Sequence, residues 1–361
     1  MTRVVIAMSG GVDSSVAAAL LKQQGYDVLG MMLRLWSEPG KEDSNRCCTP
    51  DAMALARRVA AQLDIPFYAV DAREPFRSTV VQYFLDEYAS GTTPNPCLQC
   101  NRAIRWKFLL EHALALDAEF LATGHYVKIN QDVKAGSTPD SEQTWKLLRA
   151  DDRSKDQSYV LHGLNQDQLK MSMFPVGDYP KDKIRLMAKE FGLPTASRPD
   201  SQDLCFLAGE DYREFIKRNA PESLIPGDIR STVGQLLGRH TGLSLYTIGQ
   251  RKGLGLSSPR PMYVLEKRAE SNTLVVGFEN DLGKDEMQVK DPNWICGYPP
   301  ADSFRAEIKI RYTAREAWGE VIRLSDDSLK VKFDYPQRDI TPGQAAVFYQ
   351  EDIVLGGGII E

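Results

Sequence analysis

Cysteine and histidine are scarce in this chain: six and four among 361 residues. So few cysteines over such a length do not make a disulfide framework, and closely spaced thiols then point to catalysis or metal binding. Long apolar runs are lacking as well. None approaches the ~18 residues of a membrane-spanning helix. The opening MTRVVIAMSGG holds one short apolar run stopped by two glycines, too short for a secretory signal and suited to a first buried strand. No contact with a membrane is expected, and the expected location is the cytoplasm. An excess of positive charge is also missing. The formal net charge is −5, so any contact with a polyanion must be a local patch. One such patch exists: between Ile229 and Leu265 stand Arg230, Arg239, Arg251, Lys252 and Arg260, with no Asp or Glu.

What is present reads as a globular protein of two or three domains, 42% apolar and 26% charged. Strand and helix signals alternate through the first 130 residues. Runs at 4–7, 27–33, 67–71 and 120–124 are strand-like; 14–24, 50–63, 76–88 and 102–116 are helix-like, with Gly25 as a stop and Thr49 as an N-cap. Repeated βα units imply a parallel sheet covered on both faces. The polar stretch 130–144 reads as a loop. From about 209 the texture changes. A helix over 212–219 is followed by frequent Gly and Pro with short β-branched runs, 245–248 and 273–276. From about 287 alternating runs at 305–310, 317–324, 329–333 and 345–349 predict an antiparallel barrel. The expected division is a Rossmann-like α/β domain over 1–208, a small, mostly β central domain over 209–284, and a β-barrel over 285–361. No internal repeat is evident.

The first strand runs straight into SGGVDSS, residues 9–15, and then a helix. Gly10 and Gly11 let backbone amides approach phosphate oxygens, Ser9, Ser14 and Ser15 add hydroxyls, and the helix N-terminus adds positive dipole. The Gly-Lys-Ser/Thr ending of a Walker A loop and the third glycine of a dinucleotide fingerprint are both absent. A second feature is TPNPCLQCN, residues 93–101, with Cys97 and Cys100 three apart. Zinc is poorly supported, since no second CxxC or His pair lies at suitable spacing. Cys100 falls just before the predicted 102–116 helix, whose N-terminus would favour the thiolate.

SGGxDS after a first strand resembles the PP-loop of ATP pyrophosphatases, which split ATP to AMP and pyrophosphate. TPNPCLQCN, ATGHY (122–126), KDQSYVL (155–161), SQDLCF (201–206) and YTIGQRKGLG (246–255) then occur in the order seen in tRNA-specific 2-thiouridylases. This resemblance covers nearly the whole chain. It implies ATP-dependent replacement of O2 of the wobble uridine, position 34, by sulfur, with Mg2+ accompanying ATP. The implied nucleotide contacts are Met8, Ser9, Gly10, Gly11, Val12, Asp13, Ser14, Ser15, Leu33 and Gly124. Cys205 would carry a persulfide and Cys100 would resolve it. The implied partners are the tRNA anticodon loop and a sulfur-relay protein that donates the persulfide. RNA contacts are implied at Asn95, Pro96 and Cys97, which would face the target base, and at His125, Lys155, Asp156, Gln157, Arg311, Tyr312 and Gln344. The resemblance assigns no role to Cys47, Cys48 or Cys296.

One position departs from the family pattern, which has Asp where this chain has Cys97. The departure opens a second reading, in which Cys97, Cys100 and Cys205 hold a [4Fe–4S] cluster as in related PP-loop thiolases. Two further readings share less of the sequence. A PP-loop synthetase that adenylates a small metabolite would use residues 9–15 but neither distant cysteine nor barrel. A non-enzymatic RNA-binding protein would not need an intact SGGVDSS.

Overall fold

Strand β1 (Arg3–Ala7) divides its side chains by the two-residue period of a strand: Val4 and Ile6 join one apolar cluster, Val5 another on the opposite face. The computed structural model describes residues 1–41, 49–132, 144–200 and 204–361. Around β1 are β2 (Asp27–Arg34), β3 (Phe67–Asp71), β4 (Phe120–Ala122) and, after a hairpin of β5 (Val127–Asp132) and β6 (Thr144–Arg149), the short β7 (Ser172–Met173). The sheet order is β3-β2-β1-β4-β7, all parallel. Helices α1 (Val12–Gln23), α2 (Pro50–Gln62) and Lys181–Glu190 cover one face with Ala-, Val- and Leu-rich surfaces. Leu109, Leu110 and Ala113 cover the other. β1 lies between β2 and β4, where the order of strands reverses, and ligands bind such sheets at that point.

The central domain has the helix Tyr212–Asn219 and a four-stranded sheet. Its strands are β8 (Gly227–Ser231), β9 (Leu236–His240), β10 (Tyr263–Arg268) and β11 (Thr273–Gly277), ordered β10-β11-β8-β9. The 245–248 run forms no strand. Leu243–Leu245 is a buried 3-10 turn that packs Leu245 and Tyr246 into the core. That core is shared, because Phe76, Val80, Phe84 and Tyr88 of the first domain lie in the same cluster as Phe215, Ile229 and Val276.

The barrel comprises β12 (Lys284–Trp294), β13 (Ser303–Lys309), β14 (Ala317–Arg323), β15 (Leu329–Gln337), β16 (Ala345–Gln350) and β17 (Ile353–Ile360). The order β12-β15-β14-β13-β16-β17 is closed by β12 pairing with β17. The stretch 130–144 was expected to be a loop, but its flanks are strands. β5 and β6 pair in register, and β6 pairs onward with β17 through Ile353↔Leu148 and Val354↔Leu147. Residues 133–143 lie outside the described residues. No helix among the described residues is long and apolar enough to cross a membrane.

Candidate active site

The turn after β1 is built around Gly10, whose φ of +70° is left-handed. A Cβ there would lie 2.4 Å from the Ala52 carbonyl oxygen. Gly10→Ala is therefore expected to cost about 1–2 kcal/mol from conformation alone, with the clash added, and to weaken ATP binding. Thermal melting and nucleotide titration check this, and an unchanged variant would mean that the loop tolerates another shape. Ser14 and Ser15 turn inward: their hydroxyls donate to the Gly11 carbonyl at 3.3 and 2.8 Å, and the Ser9 amide donates to Ser14 Oγ at 3.2 Å. No side chain caps α1, which leaves its first amides available to an anion. Gly124, after β4, approaches so closely that a Cβ would stand 2.7 Å from the Ser14 amide nitrogen. The sequence places Met8 to Ser15 and Gly124 at one point, and the fold brings them together there.

Asp13 faces a set of charges that the sequence did not single out. Lys181 Nζ lies 2.6 and 2.8 Å from its two carboxylate oxygens, and the Tyr126 hydroxyl donates to it at 2.7 Å. Burial and then Asp13 raise the Tyr126 phenol far above its usual range, so it stays a donor. Lys181 also reaches Asp200 at 3.1 Å, which in turn holds Lys155 at 2.9 Å and Arg185. Burial opposes the charge on Asp200, but hydrogen bonds from Lys155 and Lys181 prevail and hold it at about 2. Arg198 donates to the Gly10 carbonyl at 2.8 Å. One signal was readable: Lys181 opens a helix, where the dipole disfavours a cation.

The predicted 102–116 helix begins earlier, at Pro96. Asn95 caps it by accepting from the Cys97 amide at 3.1 Å, and Pro occupies the first turn as it commonly does. Cys97, not Cys100, therefore sits in the first turn, closest to the dipole. The helix then widens into a π-wound stretch, Cys100–Leu109, before Leu110–Leu114. Such widening is frequent at functional sites. Cys97 is exposed; Cys100, Cys205 and Cys296 are half-buried. Cys100, Cys205 and Leu33 all pack against the large apolar cluster shared by the first two domains, whose members include Phe76, Phe84, Ile104 and Phe206. Cys47, Cys48 and residues 201–203 of SQDLCF lie outside the described residues.

Several residues expected to contact RNA also hold bonds within the chain. His125 is buried and both ring nitrogens are engaged, Nε2 with Arg105 at 3.0 Å and Nδ1 with Thr123 Oγ1 at 2.8 Å. Arginine can only donate, so Nε2 accepts and the proton sits on Nδ1. Burial, then Arg105, pushes its pKa well down, and the ring stays neutral. Through Arg105 and Asn101 it braces the thiol-bearing helix rather than meeting solvent. Asp156 accepts from Ala150, Ser158 N and Ser158 Oγ, while Gln157 accepts from the Tyr126 amide at 3.0 Å. Arg311 donates to the Ile248 carbonyl at 3.0 Å and to Thr341, joining barrel to central domain. Gln344 donates to the Thr93 carbonyl at 2.8 Å. Tyr312 keeps an exposed edge; burial, then Asp156 and Cys97, raises its pKa.

Comparison with known proteins agrees with this layout. The tRNA methyl transferase HUP domain family matches residues 2–209, its PRC-barrel domain family residues 213–278, and the aminomethyltransferase beta-barrel domain family residues 284–360. The chain is 47% identical to tRNA-specific 2-thiouridylase MnmA 2 of Caldanaerobacter subterraneus subsp. tengcongensis, covering 99% of this chain and 98% of that one. It is 45% identical to tRNA-specific 2-thiouridylase MnmA of Symbiobacterium thermophilum, covering 99% and 92%. The relative from Clostridioides difficile, of the same name, is 43% identical over 99% and 98%. This chain belongs to the tRNA-specific 2-thiouridylase family.

The iron–sulfur reading of Cys97, Cys100 and Cys205 gains no support from this arrangement. Among the described residues, no three His, Cys, Asp or Glu side chains gather as a metal ion would need, and Cys97, Cys100 and Cys205 are all described. Cys97 stands exposed while the other two lie against an apolar wall.

Proposed function

We propose that this enzyme uses ATP to thiolate uridine in tRNA, at C2 of the wobble position, by a persulfide relay. What supports the reading is one conjunction: a phosphate cradle at the switch point of the sheet, and two thiols packed against the same apolar cluster as Leu33 at the end of β2. ATP would lie across the strand ends with its pyrophosphate on the amides and hydroxyls of Ser9 to Ser15. Lys181, through Asp13, and Arg198, through the Gly10 carbonyl, set two cations at that cradle. Mg2+ would find in Asp13 a carboxylate at the edge of the cradle, and its contribution is charge neutralisation of the phosphates.

The wobble base lies in a single-stranded loop, so extruding it costs less than opening a paired base. Its C2 oxygen attacks the α-phosphorus, and pyrophosphate leaves. The terminal sulfur of a Cys205 persulfide attacks C2, and AMP departs with the former oxygen. The Cys100 thiolate then attacks Sγ of Cys205, breaking its bond to the transferred sulfur. That sulfur remains on C2, and a Cys100–Cys205 disulfide is left for an external dithiol to reduce. A sulfur-relay protein bearing a persulfide would load Cys205 again.

The exposed edge of Tyr312 is free to stack on an unpaired base. The basic loop around Arg251 and Arg260 lines a hollow of about 390 Å³ and is suited to backbone phosphate. Arg311 and Gln344 are better read as joints between domains than as RNA contacts. The test is product analysis with tRNA and a persulfide donor. AMP and pyrophosphate should form in step with 2-thiouridine at position 34. ADP and phosphate instead, or AMP formed equally well without tRNA, would defeat the proposal.

A further inference from the structure

All three parts of the chain meet at Thr92 and Thr93, immediately ahead of the thiols. Thr92 Oγ1 donates to the Glu87 carboxylate at 2.6 Å. The Thr92 carbonyl accepts from Lys267 Nζ, carried on β10, at 3.1 Å; the same amine donates to the Tyr246 carbonyl at 2.9 Å. The Thr93 carbonyl accepts from Gln344 of the barrel, and the Thr93 amide donates to the Pro342 carbonyl at 2.8 Å. Gly343 backs onto the pair so tightly that a Cβ would stand 3.0 Å from their atoms. Neighbouring carbonyls are thus gripped from two different domains. Pro94 and Pro96 restrict the chain that follows, so the position of Thr93 passes to the Asn95 cap, Cys97 and Cys100.

Lys267 is an unusual choice for such a joint. Its amine is the enclosed end of a half-buried side chain, and burial brings its pKa down to about 7. It has no ion pair among the described residues; beyond the two carbonyls it meets only the face of Tyr88, 5.8 Å from the ring centre. Enclosing an amine without a carboxylate is costly, so packing alone would favour an apolar side chain. Charged or neutral, the amine keeps at least two N–H donors for its two carbonyls.

We propose that Lys267 is a positioning residue that, together with Gln344, sets where Cys97 and Cys100 stand, so that RNA seated on the central domain and barrel bears on the placement of the thiols. The inference rests on the reading of Cys100 as a working thiol. The test compares Lys267→Met, Lys267→Arg and Gln344→Met in the full chain. The readouts are kcat and KM for tRNA, the pH profile of Cys100 alkylation by iodoacetamide, and amide hydrogen exchange.

Lys267→Met should lower kcat by about 10- to 100-fold, the scale of a misplacement of about 1 Å, with KM for tRNA changed less than about twofold. It should alter the Cys100 alkylation profile and raise exchange over residues 93–101 but not in α1. Lys267→Arg, which keeps the donors, should recover most of kcat. Wild-type kcat and alkylation in Lys267→Met would overturn the proposal, as would an exchange increase spread evenly over the molecule. Should Lys267→Met fail to fold, Gln344→Met decides: unchanged exchange at 93–101 overturns the clamp. Thiolation surviving in Cys100→Ser would instead defeat the thiol assignment, a separate failure that leaves the exchange result standing.

Discussion

Cys100→Ser and Cys205→Ser are each expected to lower 2-thiouridine formation on the order of 10⁴-fold or more, the scale seen when a residue acting as part of a covalent unit is removed. Serine is close to cysteine in size, and both positions are half-buried, so stability should hold. Neither residue belongs to the Ser9–Ser15 turn, so ATP should bind as before and tRNA-dependent pyrophosphate release should still occur, with adenylated tRNA accumulating in Cys205→Ser in place of thiolated product. Mass spectrometry separates the two variants. In the proposed sequence Cys100→Ser can still be loaded with a persulfide at Cys205, and Cys205→Ser cannot. Near-normal turnover in either variant would remove the relay, and loss of ATP binding in both would point to a structural role for the shared apolar cluster.

Lys181→Met should be the most damaging change that leaves the thiols untouched. Its amine lies between Asp13 and Asp200, and methionine fills similar volume without charge. Removing one partner of a buried pair costs about 3–5 kcal/mol; the figure here should be lower, because Asp13 and Asp200 keep 30% and 21% of their surface. Losing one charge-assisted contact to phosphate should weaken ATP binding by about 10- to 100-fold. The acid limb should move as well. Asp200 is held at about 2 by Lys155 and Lys181 against its burial, so its contribution is present above the ordinary carboxylate range and is lost as pH falls towards 2. Without Lys181 that contribution should be smaller and its loss complete at a higher pH. Unchanged ATP affinity, measured calorimetrically, would show that Lys181 serves only the fold.

Periodicity reached the parts of this molecule that are locally determined. The 212–219 helix, the β1–α1 turn and the strands of the parallel sheet all follow from side chains within one element. What escaped depends on partners far away. Lys181 and Asp200 gain meaning only once the Lys181–Glu190 helix docks beside the turn after β1. The 245–248 run carries β-branched and aromatic residues, yet its Leu and Tyr are taken by a core shared with residues 76–88, and tertiary burial overrides propensity there. Arg311 and Gln344 stand at motif positions. Sequence alone cannot tell a side chain that meets RNA from one that ties the surface presenting it, since both demand a polar group near a loop. The capping Asn95 and the Pro at the first turn are legible signals that the thiol-bearing helix starts at residue 96.

Strand β17 pairs with β16, with β12 and, through Val354 and Ile353, with β6, some 200 residues earlier. During synthesis, β6 therefore leaves the ribosome long before its neighbour exists. The hydrophobic side of the β5–β6 hairpin must wait, because its core partners Ala345, Val347, Tyr349 and Val354 are among the last to be translated. Until then the β6 edge stands open to other chains. A stop at residue 352 would leave it so, and the nascent first domain would be expected to depend on chaperones for the whole time needed to make the other two.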